Sequence, residues 1–380
     1  MYTINDTSRS WAEIDLSALK HNLGIAKSCG KRVMCVIKAN AYGHGAVECG
    51  KFLEKNGADA FAVACLQEAL ELRSAGITLP ILILGYTHAE YASVLSENRL
   101  EQTLVDREYA EELNASAKAA GCTVAAHIKL DTGMSRSGLL AQGADNIAKA
   151  TDDAEFMYRL ENIDVTGIYT HMSVADIPSE DDYTAWQIQN FNAVIDNLSK
   201  RGITIKTRHM SNSAGIMEHP EAHFDMVREG IMLYGLYPDS MPREGALKPV
   251  MTLKARVGQV RELPEGTTVS YGRTYKADKP IKTAVVTIGY ADGYPRRVSN
   301  NAYAVINGRR YRQIGRVCMD MIMLDVTGSD VKRGDAVTLF GEGGMTVEEV
   351  SQIVGTINYE LTCLVTPRAK RIYLNGEADE

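Results

Sequence analysis

The sequence predicts an α/β protein, with a (β/α)8 barrel of the TIM type followed by a C-terminal, mostly β domain. Up to about residue 235, eight short apolar runs alternate with stretches of helical period, and about 250 residues is typical of such a barrel. After about Pro242 the apolar runs continue with few helical stretches between them. We therefore place the barrel at residues 11–240 and the β domain at 241–380.

The barrel assignment depends on apolar runs that end in polar or turn residues. The predicted strands are Val33–Ile37, Ala60–Cys65, Ile81–Leu84, Gln102–Val105, Val124–Leu130, Val165–Thr170, Thr207–Met210 and Asp225–Val227. The helical stretches between them are His44–Asn56, Gln67–Ala75, Ala89–Glu97, Arg107–Ala120, Gly138–Ala150 and Tyr183–Lys200. A doubly wound open sheet is the structural alternative, but no GxGxxG string follows an early strand.

The second half contains mainly strand signals. The predicted strands are Leu253–Val260, Thr267–Ser270, Lys282–Gly289, Tyr303–Ile306, Arg310–Ile314, Met321–Val326 and Ala336–Phe340, with a short helix at Val347–Val354. Asn307-Gly308 lies between two of these runs and predicts a type I′ hairpin turn.

Composition excludes several classes of protein. The 380 residues suit one large and one smaller domain, and the net charge of −7 argues against a nucleic-acid or anionic-membrane partner. No apolar run reaches the about 18 residues of a membrane span, and the N-terminus has no signal-peptide pattern. The seven cysteines form no CxxC pair and no zinc spacing. We expect a cytoplasmic protein with reduced thiols and no metal site.

Lys38 directly follows the first apolar run and opens the string KANAYGHG, residues 38–45. A lysine at the mouth of a buried strand is desolvated, which favours the neutral amine. Such an amine can attack an aldehyde, and proteins hold pyridoxal phosphate (PLP) in this way. Tyr42 could reach the same cavity with its hydroxyl group. A strand-end lysine that extends to solvent is the alternative, and this string alone does not decide between them.

Further polar residues follow the later strands of the predicted barrel. These residues are Lys129, Asp131, Arg136, His171, Asn212, Ser213 and Arg228. Each one alone is more often a solvated or structural residue. Because the C-terminal ends of barrel strands share one face, their joint placement favours a functional site there.

Two strings at that face fit one phosphate group. Residues 211–215, SNSAG, enter a helix, and residues 228–231, REGI, begin another turn. Free backbone N–H groups and a serine hydroxyl at such turns bind phosphate. No Walker A string occurs, which argues against a nucleoside triphosphate. A lysine for an aldehyde and a site for one phosphate suit PLP better than ATP or NAD.

These strings resemble the motifs of the alanine racemases over nearly the whole chain. The KANAYGHG string resembles the family's cofactor-lysine motif. The match continues through KLDTGMSR (129–136), GIYTH (167–171), SNS (211–213), REGI (228–231), YG (234–235), SYG (270–272), GYADGY (289–294), GRVCMD (315–320) and INYE (357–360).

The resemblance implies a PLP-dependent racemase of fold type III that works as a homodimer with shared active sites. Residues up to about Ser10 would add a strand to the β domain. Lys38 would hold PLP and act as a base on one face of the substrate, and Tyr271 of the partner subunit would act on the other. The reaction would interconvert L- and D-alanine and supply D-alanine for peptidoglycan.

The resemblance also assigns roles to individual residues. The implied cofactor-binding residues are Lys38, Tyr42, Arg136, His171, Asn212, Ser213, Arg228, Gly230, Ile231 and Tyr359. The substrate carboxylate would be received by Arg136 and by Met319 of the partner subunit. The residues implied to support the site or line its access corridor are Lys129, Asp176, Tyr290, Arg296, Arg316, Cys318, Asp320 and Ile357. Lys129 is carbamylated in many relatives.

The chain departs from the family pattern at two positions. Met321 replaces a common polar residue, and Glu229 replaces a common apolar residue near the expected cofactor site. A PLP carrier is disfavoured because it would lack the second domain. A PLP-dependent decarboxylase would show a Gly-rich phosphate loop and a late cysteine motif, and we find neither. A serine or broad-specificity racemase remains the alternative, although Tyr359 beside the substrate side chain favours alanine.

Overall fold

The computed structural model describes residues 8–238 and 245–376. The strands are β1 (Ser10–Asp15), β2 (Arg32–Val36), β3 (Ala60–Val63), β4 (Ile81–Ile83), β5 (Leu100–Leu104), β6 (Val124–Asp131), β7 (Leu139–Leu140), β8 (Ile163–Tyr169), β9 (Thr207–His209), β10 (Met226–Glu229), β11 (Met251–Leu263), β12 (Thr268–Val269), β13 (Tyr275–Lys276), β14 (Ile281–Val286), β15 (Tyr303–Ile306), β16 (Arg309–Ile314), β17 (Ile322–Asp325), β18 (Ala336–Phe340) and β19 (Lys370–Leu374).

The α-helices are α1 (Leu16–Lys27), α2 (Ala46–Lys55), α3 (Leu66–Ser74), α4 (Ala92–Glu97), α5 (Arg107–Ala119), α6 (Ala144–Tyr158), α7 (Asp181–Lys200), α8 (Ser213–Glu218), α9 (Val347–Val354) and α10 (Asn358–Leu364). Single 3₁₀ turns occur at Ala89–Tyr91, Pro178–Glu180, Pro220–Ala222, Ile231–Tyr234, Tyr271–Arg273, Tyr290–Asp292 and Arg296–Val298. Within the described ranges, no helix has the length and apolar character needed to cross a membrane.

Eight parallel strands close into a barrel. The order around the ring is β5-β4-β3-β2-β10-β9-β8-β6, and β6 pairs with β5 to complete it. Strand β2 comes first of the eight in the chain and β10 comes last, and these two strands are neighbours, with Met34 opposite Arg228. The predicted (β/α)8 barrel is therefore confirmed, and the open-sheet alternative is wrong.

The barrel strands are apolar because both of their faces are covered. Every residue of β3 and β4 is buried, as expected for parallel strands between a filled interior and a helix layer. On the helix side, Leu53 of α2, Leu72 of α3 and Phe191 of α7 have no exposed surface. This packing fixes the strand ends, and therefore fixes the residues that follow them.

The second domain is built on an antiparallel sheet. Its strand order is β14-β17-β16-β15-β18-β11-β1-β19, and a further pairing between β14 and β11 closes six of these strands into a ring. The β15–β16 hairpin turns at Asn307 and Gly308, whose φ angles are +50° and +74°. Positive φ at both central positions defines the type I′ turn that the sequence predicts.

The N-terminal strand lies further along the chain than expected. We predicted that residues up to about Ser10 would join the β domain, but β1 runs from Ser10 to Asp15 and pairs with β11 and β19. Asp15 then caps α1, because its carboxylate accepts hydrogen bonds from the backbone N–H groups of Ser17 and Ala18. Residues 1–7 and the predicted domain boundary at 240/241 lie outside the described residues.

The helix predicted at Gly138–Ala150 is displaced in the structure, where α6 begins at Ala144. Residues Leu139–Leu140 instead pair with β6. Gly138 explains the difference, because its φ is +114° and a Cβ there would lie 2.7 Å from the backbone oxygen of Lys129. The close approach of two backbones at this point overrides the helical pattern of the sequence.

Candidate active site

A cavity of about 600 Å³ opens at the C-terminal ends of the barrel strands. Eleven of the residues predicted for the site line it. They are Lys38, Tyr42, Lys129, Arg136, His171, Asn212, Ser213, Arg228, Gly230, Ile231 and Tyr359. The first ten come from the barrel and Tyr359 comes from α10, so both halves of the chain contribute to this cavity.

Lys38 reaches the cavity from a left-handed turn that directly follows β2. The four residues Ala39–Tyr42 have φ angles of +51° to +54°, a conformation that costs about 1–2 kcal/mol for each L-residue. Neighbouring groups brace this strained turn. Glu68 accepts a hydrogen bond from the Ala39 N–H at 2.7 Å, and Arg371 donates to the Gly43 carbonyl at 2.8 Å. The turn places Lys38 and Tyr42 on the same cavity wall.

Positive charge is concentrated in the cavity. Burial lowers the pKa of Lys38, and the neighbouring Arg136 lowers it further. Burial together with Arg136 and Arg228 lowers the pKa of Lys129 to about 8. Lys129 donates a hydrogen bond to the Ser137 hydroxyl at 2.6 Å. Both amines therefore reach their neutral, nucleophilic form at a lower pH than an ordinary lysine.

Arg228 is fixed by several acceptors at the end of β10. Its Nη2 donates to the carbonyl oxygens of Thr170 and Met210, both at 2.8 Å, and to His171 Nδ1 at 3.1 Å. Its Nη1 donates to His209 Nδ1 at 2.9 Å. Burial lowers the pKa of Arg228 to about 10, so the guanidinium remains charged at neutral pH and its orientation is set by these bonds.

The contact with Arg228 also sets the protonation state of His171. Burial and then the charge of Arg228 lower the pKa of His171 well below 6.5, so the ring is neutral. A guanidinium can only donate hydrogen bonds, so Nδ1 must accept and the single ring proton lies on Nε2. His171, which lines the cavity, therefore carries an N–H donor on Nε2.

The cavity also contains a cradle of small polar groups. The Ser213 hydroxyl accepts hydrogen bonds from the N–H groups of Gly230 and Met232, at 3.2 and 3.3 Å. A Cβ at Gly230 would lie 3.3 Å from the Tyr42 hydroxyl and 3.6 Å from that of Ser213. Asn212 caps α8 by accepting from the Gly215 N–H. Hydroxyl and backbone donors around a space kept open by a glycine fit a phosphate group.

Sequence reasoning missed several residues that line the cavity. They are Val36, Ala39, Ala64, Leu84, Gly85, Ser137, Tyr169 and Cys363. Tyr169 had a usable signal, because it lies near the end of a predicted strand in a barrel. Cys363 had none, because it lies on α10, and that helix was not predicted.

A second group of predicted residues lies on the β domain, outside this cavity. The hydroxyl of Ser270 donates to the Arg316 carbonyl at 2.6 Å, and the N–H of Tyr290 donates to the Cys318 carbonyl at 3.1 Å. Tyr271 and Met319 are 69% and 52% exposed. We call Tyr271, Tyr290, Arg316, Cys318 and Met319 the β-domain face.

The other predicted residues also lie outside the cavity. Asp320 forms an ion pair with Arg368 at 2.7 Å next to the β-domain face. Asp176 lies between β8 and α7, Arg296 is an exposed residue in a 3₁₀ turn, and Ile357 precedes α10 and is 43% exposed. The departure at Met321 is also exposed, by 48%.

The fold and the cavity together define a class of protein: barrel enzymes that carry a nucleophilic lysine at the barrel mouth. The comparisons with known proteins specify the family. The family described as "Alanine racemase, N-terminal domain" matches residues 14–238, and "Alanine racemase, C-terminal domain" matches residues 250–373. The chain belongs to the alanine racemase family, and it is an isomerase that functions as a racemase.

Individual relatives cover nearly the whole chain. An alanine racemase of Methanococcus maripaludis is 45% identical over 374 residues, covering 96% of this chain and 98% of that protein. A structure of alanine racemase from Clostridium difficile 630 superposes with a TM-score of 0.92 at 40% identity, covering 98% of this chain and 97% of that one. The Bacillus anthracis enzyme with bound L-Ala-P has a TM-score of 0.86 at 33% identity, with 97% and 96% covered.

Proposed function

We propose that this racemase interconverts L- and D-alanine with PLP bound in the cavity at the barrel mouth. One observation carries the proposal. A half-buried lysine amine with a lowered pKa and a glycine-lined cradle of phosphate-type donors share a single cavity of about 600 Å³. An aldehyde that carries one phosphate is the ligand that this pair of features fits best.

The described residues suggest how the cofactor would be held. Tyr42, Ser213, Gly230, Ile231 and Tyr359 would bind the phosphate, with Asn212 fixing the start of α8. Arg136 would contact the phenolic oxygen, and Arg228 would face the ring nitrogen. When bound, PLP supplies an aldehyde for an amine and an electron-withdrawing ring that acidifies the α-proton of an amino acid.

Racemisation needs a proton-transfer group on each face of the substrate. A single base that returns its own proton to the same face restores the starting enantiomer. Lys38, with its lowered pKa, would accept and return the proton on one face. Tyr271 would serve on the other face, but within its own chain it is largely exposed and does not line the cavity. Its use therefore requires Tyr271 of the partner subunit in a homodimer.

Arg228 and His171 would prepare the site for the second base. His171 carries its proton on Nε2, so it can donate a hydrogen bond to a tyrosine oxygen placed beside it. The charge of Arg228, which contacts His171 at 3.1 Å, would favour a negative charge on that oxygen. A charged guanidinium facing the ring nitrogen would also keep that nitrogen unprotonated and discourage side reactions.

Substrate recognition would combine the two subunits. Arg136 and Met319 of the partner subunit would receive the carboxylate. The rings of Tyr42 and Tyr359 lie 6.1 Å apart between centroids, and both line the cavity. Tyr359 would limit the size of the substrate side chain and so favour alanine. The lowered pKa of Lys129 favours the neutral amine that reacts with CO₂, and this supports its carbamylation.

The remaining assignments stay predictions. Asp176, Tyr290, Arg296, Arg316 and Ile357 would line the access corridor once two subunits meet, with Cys318 and Asp320 supporting the loop that carries Met319. A cytoplasmic location and D-alanine supply for peptidoglycan belong to the same proposal.

The test is to measure D-enantiomer formation from L-alanine and from L-serine, side by side, with purified protein and added PLP. We expect a strong preference for alanine and no detectable activity in Lys38→Ala. Lys51→Ala, on the surface of α2, is the control and should behave like the unaltered protein. Equal or better turnover of serine would overturn the substrate assignment, and an active Lys38→Ala would overturn the role of Lys38.

A further inference from the structure

A line of polar groups runs from the cavity into the interior of the barrel. Arg228 Nη1 lies 2.9 Å from His209 Nδ1, and His209 Nε2 lies 2.8 Å from His127 Nδ1. His127 Nε2 lies 3.3 Å from Glu101 Oε2. The side chains of Arg228, His209 and His127 are almost fully buried. We call these four residues the barrel relay.

The relay ends at the opposite face of the barrel from the cavity. Glu101 is the second residue of β5 and therefore lies near the N-terminal end of that strand. It lines a separate cavity of about 460 Å³, together with Arg73, Arg99 and Asp164. The relay thus connects the strand ends that carry the proposed chemistry with a carboxylate at the other end of the barrel.

Donor and acceptor chemistry allows one arrangement of protons along the relay. A guanidinium has donors only, so His209 Nδ1 accepts. Burial, followed by the charge of Arg228, lowers the pKa of His209 well below 6.5, so this ring is neutral and its one proton lies on Nε2. That proton is donated to His127 Nδ1. Because Nδ1 of His127 accepts, the proton of this ring lies on Nε2 and faces the carboxylate of Glu101.

The ionised state of Glu101 agrees with this order of donors and acceptors, which runs from Arg228 to Glu101. Burial alone would raise the pKa of Glu101, but the hydrogen bond from His127, with help from Thr166 and Arg32, outweighs burial and lowers it. An ionised carboxylate has acceptors only. Both ends of the relay are therefore fixed: a donor-only group lies at one end and an acceptor-only group at the other.

The surrounding structure keeps the two rings in place. A Cβ at Gly167 would lie 2.5 Å from Cε1 of His127, so a glycine is needed where β8 passes this ring. The ring of Tyr169 stacks on that of His209 at 4.8 Å with an interplanar angle of 9°. The Tyr169 hydroxyl is in turn hydrogen-bonded to Thr103 at 3.0 Å. These contacts hold the planes of both rings, and a flip of either ring within its plane would break the hydrogen bonds of the relay.

We propose that Glu101 and His127 are positioning residues for Arg228. The carboxylate selects the Nε2-protonated tautomer of both histidines, which gives Arg228 a permanent acceptor and holds its guanidinium in one orientation. Hydrogen bonds in such a chain polarise one another, so the carboxylate also strengthens the acceptor at His209 Nδ1. The contact of Arg228 with the cofactor rests on the proposed function, whereas the tautomers do not.

The test uses the full chain labelled with ¹⁵N at its eight histidines, with and without PLP. Long-range ¹H–¹⁵N NMR spectra distinguish Nδ1 from Nε2 protonation, and His127→Asn and His209→Asn assign the signals. We expect both rings to carry the proton on Nε2. A proton on Nδ1 of His209 in the unaltered protein would overturn the proposal.

Two variants of Glu101 separate positioning from folding. Glu101→Gln keeps the shape but can donate as well as accept, and Glu101→Leu removes the acceptor. Glu101→Leu should let His127 carry its proton on Nδ1, which breaks its bond to His209, and should lower kcat by about 2- to 30-fold, the usual range for coupling through a network, with little change in KM. Glu101→Gln, which can still accept from His127 Nε2, should change both readouts less. Asp164 lines the same cavity of about 460 Å³ as Glu101. Asp164→Asn is therefore the matched control, and its histidine tautomers and kcat should equal those of the unaltered protein.

The outcomes remain distinct from those of the proposed function. An unchanged tautomer of His127 in folded Glu101→Leu would contradict the relay, whatever the activity. A chain that shows the expected tautomers but never racemises alanine would contradict the proposed function and leave the tautomer assignment standing.

Discussion

Glu229 follows Arg228 in the sequence, but the two side chains have different surroundings in the structure. Arg228 lines the cavity, whereas Glu229 is fully buried outside the cavity lining. Neither carboxylate oxygen has a hydrogen-bond partner among the described residues. This departure from the family pattern therefore affects stability rather than the cavity, because burial raises the pKa of Glu229 well above 4.5.

Glu229→Gln should flatten the dependence of stability on pH. The native state retains a proton that the unfolded chain loses above its ordinary value near 4.5, so the free energy of unfolding falls as pH rises from there towards the raised pKa. Urea unfolding at a series of pH values between about 5 and 9 measures the slope. Glu108→Gln, on the exposed side of α5, is the control. A Glu229→Gln curve parallel to that of the unaltered protein would contradict this prediction.

Gly230→Ala should weaken PLP binding without unfolding the chain. The new methyl group would fill the cradle between Tyr42 and Ser213, and losing one hydrogen bond to a charged phosphate corresponds to about a 10-fold or larger increase in Kd. Absorbance titration with PLP measures the affinity. Gly24→Ala has open space around its Cβ and should bind as before, while unaltered affinity in Gly230→Ala would place the phosphate elsewhere.

At the scale of elements, the barrel strands could be predicted from the sequence, but close contacts between separate segments of the backbone could not. Buried parallel strands are continuous apolar runs, which is why all eight barrel strands were located. The misplaced start of α6 depends on Gly138 passing the backbone of Lys129, a contact between segments that local pattern cannot show. The helices α1 and α10 were missed, and with α10 the position of Cys363.

The same limit applies to the site. Residues at strand ends were found because a barrel gathers them at one face. His127 and His209 lie within strands and resemble isolated core histidines in the sequence. Their contact with each other depends on the stagger between β6 and β9, which only the closed barrel defines.

The β15–β16 hairpin gives a prediction that concerns conformation alone. Gly308 has a φ of +74°, and no atom lies within 4 Å of the position that a Cβ would take, so Gly308→Ala adds strain without a clash. We expect a loss of about 1–2 kcal/mol in the free energy of unfolding and unchanged activity per folded molecule. Gly308→Asn should lose less, because asparagine tolerates this conformation. Equal losses in chemical denaturation would argue against a type I′ turn.

At the scale of the whole molecule, one chain divides the proposed chemistry between two places. The residues that line the cavity lie at the barrel mouth, and the β-domain face exposes Tyr271 and Met319. Exposed aromatic and apolar side chains beside arginines are typical of an interface. A homodimer in which the β-domain face of each copy meets the cavity of the other would complete two sites and cover this surface.

Mixing two inactive variants tests this arrangement. Lys38→Ala lacks one base and Tyr271→Phe lacks the other, so each homodimer should be inactive. In a mixed dimer, one site carries both changes and the other carries neither. After complete exchange half of the dimers are mixed, and the activity should recover to about one quarter of that of the unaltered protein. Subunit exchange is checked separately with two affinity tags. No recovery after confirmed exchange would mean that Lys38 and Tyr271 do not act across a shared interface, whereas activity in the Tyr271→Phe homodimer would remove the second base from the mechanism.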